Sequence, residues 1–129
     1  MTSPISGHSV KLESSLWHLV GLFDQHLDDG VAPEYKAQPL AQDWARVAKV
    51  VEECGETIQE LIKITGQNPR KGKSGSIGEL LDELADTALT AIYAIQHFTK
   101  DERTTQTIIE QKAIYHCLRV GILTDVPSD

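Results

Sequence analysis

Between Pro39 and Gly66 the chain runs with no interior proline and with Gly55 as its one interior glycine, and Trp44, Val47, Val51, Cys54, Ile58 and Leu61 recur at alternating three- and four-residue spacing. That period belongs to an α-helix, because the side chains of a strand return to the same face every second residue. Pro39 suits the first turn, where its missing N–H is not needed, and Gly66 supplies a stop. The spacing therefore predicts a helix from Pro39 to about Thr65, with Trp44 on its apolar stripe and expected in the core. A helix of that length dictates the fold, since the rest of a small chain has to pack along it.

The remaining periodic segments are also helical. Leu16, Leu19, Val20, Phe23 and Leu27 mark a first helix that stops at Gly30, and Val31 to Gln38, with Pro33, reads as a connection. After a loop from Gln67 to Gly75, Ser76 and Glu79 form an S-x-x-E start signal, and Leu80, Leu81, Leu84, Ala88, Ile92 and Ile95 carry a helix to about Phe98. Thr99 and Glu102 repeat the signal ahead of Ile108, Ile109, Ala113, Cys117 and Val120, with Gly121 as the stop. No alternating strand pattern competes. The expected fold is all-α and four-helix bundle-like, one domain over residues 1–129, with loose arms at 1–13 and 122–129.

Composition narrows the partners. Hydrophobic residues make up 40% and charged residues 24%, values of a chain that folds. No run approaches the roughly 18 apolar residues of a membrane span, and Met1 to Lys11 lacks the pattern of a signal peptide, so the cytoplasm is the expected location and no membrane is expected as a partner. Cys54 and Cys117 sit in helical, apolar-periodic stretches and read as small hydrophobes, not as a disulfide or a zinc site. A net charge of -7 argues against a nucleic-acid polymer, whose binding rests on Lys and Arg displacing counterions. An anionic small molecule would need a metal or a local basic patch.

The metal has an obvious source. Glu52-Glu53-Cys54-Gly55-Glu56 on the long helix and Glu83-Leu84-Ala85-Asp86 on the next each hold an acidic pair three residues apart, which a helix places on one face. Side by side, Glu53, Glu56, Glu83 and Asp86 would form a four-carboxylate cage. Hard oxygen ligands without His or Cys suit Mg2+, or Mn2+, better than zinc or copper. Repulsion makes such a cluster costly unless a cation is bound. A plainer reading competes, for both pairs turn away from the apolar stripes of their helices, as residues facing water do.

These residues resemble the all-alpha nucleoside triphosphate pyrophosphohydrolases of MazG type, whose signature is E-E-x-x-E followed by E-x-x-D on the next helix. Glu52-Glu53-x-x-Glu56 and Glu83-x-x-Asp86 match it, Lys49 and Gly55 fit the same pattern, and the likeness covers about Trp44 to Phe98 well and the last helix more weakly. The resemblance implies hydrolysis of a nucleoside triphosphate between its α and β phosphates, giving a monophosphate and pyrophosphate, by a homodimer or homotetramer. It makes Glu53, Glu56, Glu83 and Asp86 the magnesium ligands and Glu52 the base that orients or deprotonates water. Lys49, Lys112 and Arg119 are then expected to meet the phosphates. Lys112 and Arg119 follow a K-x-x-x-N-x-x-K/R spacing in which His116 replaces the usual Asn, so the contact expected at His116 departs from the pattern.

Trp17 and Tyr93 lie off their helical stripes, which favours a pocket or subunit interface where they stack on a base. Arg70, Lys71 and Lys73 offer further positive charge. The segment from Gly66 to Ser74 nearly spells a phosphate-binding P-loop but has one residue too many and follows a helix instead of a buried strand. His8, His18, His26 and His97 form no ligand set. Three rivals remain: a phosphoribosyl-ATP or dUTP pyrophosphohydrolase relative, a di-iron bundle, which would need Glu-x-x-His where Asp86 stands, and a non-enzymatic helical interaction module.

Overall fold

A computed structural model describes residues 15–124. The chain forms α1 (Leu16–Asp29), a short α2 (Pro33–Lys36), α3 (Pro39–Thr65), α4 (Ile77–Thr99) and α5 (Glu102–Arg119). The architecture is the expected all-helical, bundle-like one, and none of the described residues is in a strand. Local chemistry sets the ends. Pro39 opens α3, and Gly66, at a left-handed φ of 66°, closes it by donating its N–H to Ile62 O at 3.0 Å. Ser76 Oγ accepts the Glu79 amide at 3.2 Å, so the predicted start signal works as a cap for α4.

Two boundaries differ from expectation. The connection from Val31 to Gln38 contains α2, a single turn that Pro33 begins and that closes with Tyr35 N–H on Ala32 O at 2.9 Å. At the other junction Asp101, not Thr99, caps α5, accepting the Thr104 amide at 3.0 Å. Thr99 still belongs to α4, and its hydroxyl lies 2.7 Å from that of the fully buried Thr105. Of the expected arms, residues 1–13 and 125–129 lie outside the described residues, while the amides of Ile122 and Leu123 both donate to Cys117 O.

Helices α3 and α4 are antiparallel neighbours. Asp43 meets His97 near one end of the pair, the Thr57 and Thr87 hydroxyls meet at 2.9 Å in its middle, and Glu60 and Glu79 flank Gly75 near the other end. Helix α1 packs on α4 and α5, and α5 packs on α4 but not on α3.

The face that α3 buries is the reverse of the expected one, and on α4 the expected stripe is open at Leu81, Leu84 and Ala88 but partly buried at Leu80, Ile92 and Ile95. Glu53 and Glu83 are buried, while the stripe of α3 is open: Trp44 is 72% exposed, Val51 71% and Ile58 53%. Trp44 is therefore not a core residue. At 100° per residue, the stripe of α3 lies about 130° round from Glu53, and Ile77, Leu81 and Leu84 lie about 120° round from Glu83 in the same sense. In antiparallel helices that face each other, equal senses point to the same side. Both stripes therefore share one broad apolar face, while α1 and α5 cover the opposite flank. Among the described residues, only Val20 and Ala94 of the apolar side chains are buried.

Candidate metal centre

The acidic residues meet where the two long helices touch through Thr57 and Thr87. The Thr57 hydroxyl lies 3.1 Å from Glu53 O and 3.2 Å from Glu83 O, and the Thr87 hydroxyl donates to Glu83 O at 2.8 Å. These small side chains let the backbones approach at the level of the carboxylates. Glu53, Glu56 and Glu83 each offer an oxygen, all within 4.8 Å of one another. Asp86 stands outside that group but joins Glu53 in the wall of the adjoining pocket. Glu60, one turn beyond Glu56, extends the acidic row and adds to the field at Glu83.

The cluster is short of cations. Lys49 reaches Glu52 at 3.1 Å and Glu53 at 3.5 Å, and Lys63 reaches Glu60 at 2.9 Å. Glu53 Oε2 and Glu83 Oε2 are buried and make no hydrogen bond. Burial first, and then the negative charges of Glu56, Asp86, Glu53 and Glu60, push the Glu83 carboxyl above its ordinary range. Burial, followed by Glu53 and Asp82, does the same to Asp86. Desolvation of a carboxylate is tolerable where hydrogen bonds or a cation offset it. Two orphaned oxygens in an all-oxygen donor set fit a hard divalent ion.

Beside this cluster opens a cavity of about 470 Å³, within the usual size range for small-molecule sites. Lys49, Glu53 and Asp86 line it near the carboxylates. Phe23, Arg46 and Tyr93 line it farther along, with Tyr93 stacked on Phe23 at a centroid distance of 4.7 Å. Tyr93, expected at a pocket or a subunit interface, lines this cavity, and burial raises its hydroxyl pKa, with a smaller contribution from Asp86.

Other expected site residues lie elsewhere. Glu52 is exposed, held by Lys49, and outside the trio of converging carboxylates. Half-buried Trp17, on α1, does not line this pocket. Neither do Lys112, His116 and Arg119 on α5, where Lys112 and Arg119 sit over the Tyr115 ring at 5.8 and 5.9 Å. Arg46 was missed by the sequence reading. Its signal was present, since seven residues before Glu53 is two helical turns and so the same face.

A second charged cluster ties α1 to α3 and α4. Arg46 Nη2 donates to Asp24 at 2.7 Å and to Asp28 at 3.0 Å, Lys100 Nζ reaches the same two carboxylates at 2.8 and 2.7 Å, and His97 Nε2 lies 2.7 Å from Asp43. Lys100 closes α4 at a left-handed φ of 53°, the one non-glycine residue with positive φ among those described. Its hydrogen bonds and charge, with those of Arg46, outweigh burial at Asp28 and lower that carboxyl's pKa.

No family model, curated protein or solved structure significantly matches this chain.

Proposed function

We propose that this protein is a magnesium-dependent nucleotide pyrophosphohydrolase of the MazG type, cleaving nucleoside triphosphates to monophosphate and pyrophosphate. The observation that carries the reading is the under-neutralised trio of Glu53, Glu56 and Glu83, in which the buried Glu53 and Glu83 each leave an oxygen without a partner and Glu53 lines a pocket that holds an aromatic stack. Glu53, Glu56 and Glu83 would hold magnesium, or manganese, with Asp86 as the fourth ligand. Bound there, the ion supplies Lewis-acid stabilisation of charge on the phosphates and a lowered pKa for attacking water.

The chain's own residues do the rest. Lys49 attracts the phosphates at the pocket wall, and Tyr93 and Phe23 receive the base; Glu52, exposed and paired with Lys49 at 3.1 Å, stands beside the trio as the candidate to take the proton of the attacking water. The expected result is magnesium-dependent release of pyrophosphate and monophosphate from a nucleotide panel, lost in Glu53→Gln. Release of inorganic phosphate and a diphosphate instead would mean that a different bond is cut.

We also infer a homo-oligomer with a dimer as its minimal unit. The support is the shared open face of α3 and α4, where Trp44, Val51, Ile58 and Leu81 are all more than half exposed. An apolar patch of that extent marks an interaction site, and a second copy offers an identical one. The expected outcome is a dimer by sedimentation for the wild type and a monomer for Val51→Asp. A wild-type monomer at all concentrations would overturn it.

A further inference from the structure

We propose that Thr90 binds a hydroxyl of the substrate's sugar and sets the choice between sugar forms; the proposal rests on the nucleotide reading of the pocket. Thr90 lines the cavity on α4, four residues after Asp86 and three before Tyr93. That places it about 6 Å along the axis from Asp86 and about 4.5 Å short of Tyr93. Lys49 stands four residues before Glu53 on the antiparallel α3, and so at the same level on the facing wall. A nucleotide with its α-phosphate at the carboxylates and its base on Tyr93 and Phe23 carries its sugar across this level.

A threonine inside a helix has a ready acceptor in the carbonyl one turn back. Thr57, Thr65 and Thr87 all use it, at 3.1 Å from Glu53 O, 2.9 Å from Leu61 O and 2.8 Å from Glu83 O. Thr90 differs: its hydroxyl has no hydrogen-bond partner among the described residues, and it is not one of the polar atoms that the fold buries without a partner. The hydroxyl is therefore open to solvent. Its neighbours decide where it opens. Asp86, Tyr93 and Ala94, one turn to either side, all line the cavity, and Thr87, on the remaining side, is packed against Thr57. The surface that Thr90 leaves open is thus surface of the cavity.

What a free hydroxyl can recognise there follows from its chemistry. It donates one hydrogen bond and accepts others, so it pairs with a second hydroxyl in either direction. Leu27, Leu89 and Ala94 make the nearby wall apolar, and Lys49 is already drawn to Glu52 and Glu53. Thr90 is left as the uncommitted partner for a sugar hydroxyl, and the 2′ and 3′ hydroxyls share that chemistry. If Thr90 only filled the wall, valine, branched in the same way, would serve as well, and the sugar would not matter.

The test takes the ribose, 2′-deoxy, 3′-deoxy and 2′,3′-dideoxy forms of the triphosphate whose base the protein uses best, and measures pyrophosphate release with magnesium by wild type and Thr90→Val. Loss of the bound hydroxyl is expected to lower kcat/KM of the wild type about tenfold, and in Thr90→Val the same comparison should shrink to within about threefold. The position that carries the loss, 2′ or 3′, identifies the partner. Equal use of the four forms by the wild type, or a preference that survives in Thr90→Val, would overturn the proposal and leave the hydrolase reading standing. Should Thr90→Val fail to fold by circular dichroism, Thr90→Ala takes its place with the same expectations. Turnover of no triphosphate would sink the hydrolase reading instead. In that case calorimetric binding of the four intact, magnesium-loaded uridine forms decides for Thr90: a difference in Kd of about tenfold that Thr90→Val abolishes sustains it, and equal or absent binding overturns it.

Discussion

Two groups of acids, each built around buried carboxylates, lie in the same small protein, and they have opposite electrostatic fates. At Asp24 and Asp28, Arg46 and Lys100 reach both carboxylates, and Asp28 is held below its ordinary pKa. At Glu53, Glu56 and Glu83, Lys49 and Lys63 touch only the margins, two carboxylate oxygens lack partners, and Glu83 and Asp86 are pushed upward. Both groups have the ligand atoms to hold an ion. The difference shows that proximity of acids does not define a cation site. What matters is whether the chain has already provided the cations, and only the second group leaves that vacancy.

The sharpest test of the contrast exchanges an acid for its amide in each group. Glu83→Gln should lower pyrophosphate release by about a hundredfold or more and leave the metal-free fold intact, because it removes an unneutralised charge. Asp24→Asn should act the other way, destabilising the chain by about 3 kcal/mol in urea unfolding because it strands buried cations. Equal loss of stability in the two variants would erase the distinction. Next in size is the response to magnesium. Thermal unfolding should shift upward in the wild type, corresponding to about 2.7 kcal/mol at a hundredfold excess over Kd, with no shift in Glu83→Gln and a retained shift in Asp24→Asn.

The smallest effect is the pH dependence without metal. Raised pKa values at Glu83 and Asp86 mean that the folded chain binds those protons more tightly than the unfolded one. Their contribution to stability is full below the ordinary carboxylate value of about 4 and is lost as pH rises through the raised values. Asp28 is opposite in sign: its contribution is present above that ordinary value and is lost as pH falls through its lowered one. Between about pH 4 and 7, Glu83→Gln should therefore lose less stability than the wild type in metal-free melts. Parallel curves would mean that Glu83 titrates as an ordinary surface acid.

The helices themselves were legible in the sequence because their ends are written in local chemistry: Pro39, Gly66 and Ser76 act within one turn of where they stand. The orientation of α3 and α4 was not. An apolar stripe reveals that a helix has two faces, and Trp44 and Glu53 lie on opposite ones, but the face that is buried depends on what packs against it. Here the polar faces of two helices meet around Thr57 and Thr87, which no single-helix pattern announces. The site was legible as a set, since Glu53, Glu56 and Glu83 do converge. Arg46 and Tyr93 join it only through the antiparallel register of two helices. The cap at Asp101 was obscured because Thr99, two residues earlier, satisfies the same spacing rule.

Lys100 shows how small the distance between the two acidic groups is. Its left-handed backbone would be relieved by glycine, the residue that conformation favours, so an engineer optimising the turn would choose Lys100→Gly. That change would also delete one of the two cations and leave Asp24, Asp28 and His97 with Arg46 alone. With an imidazole among the donors, the altered cluster would lean towards zinc in place of magnesium. An edit made for the sake of one dihedral angle would thus build the beginnings of a new metal site.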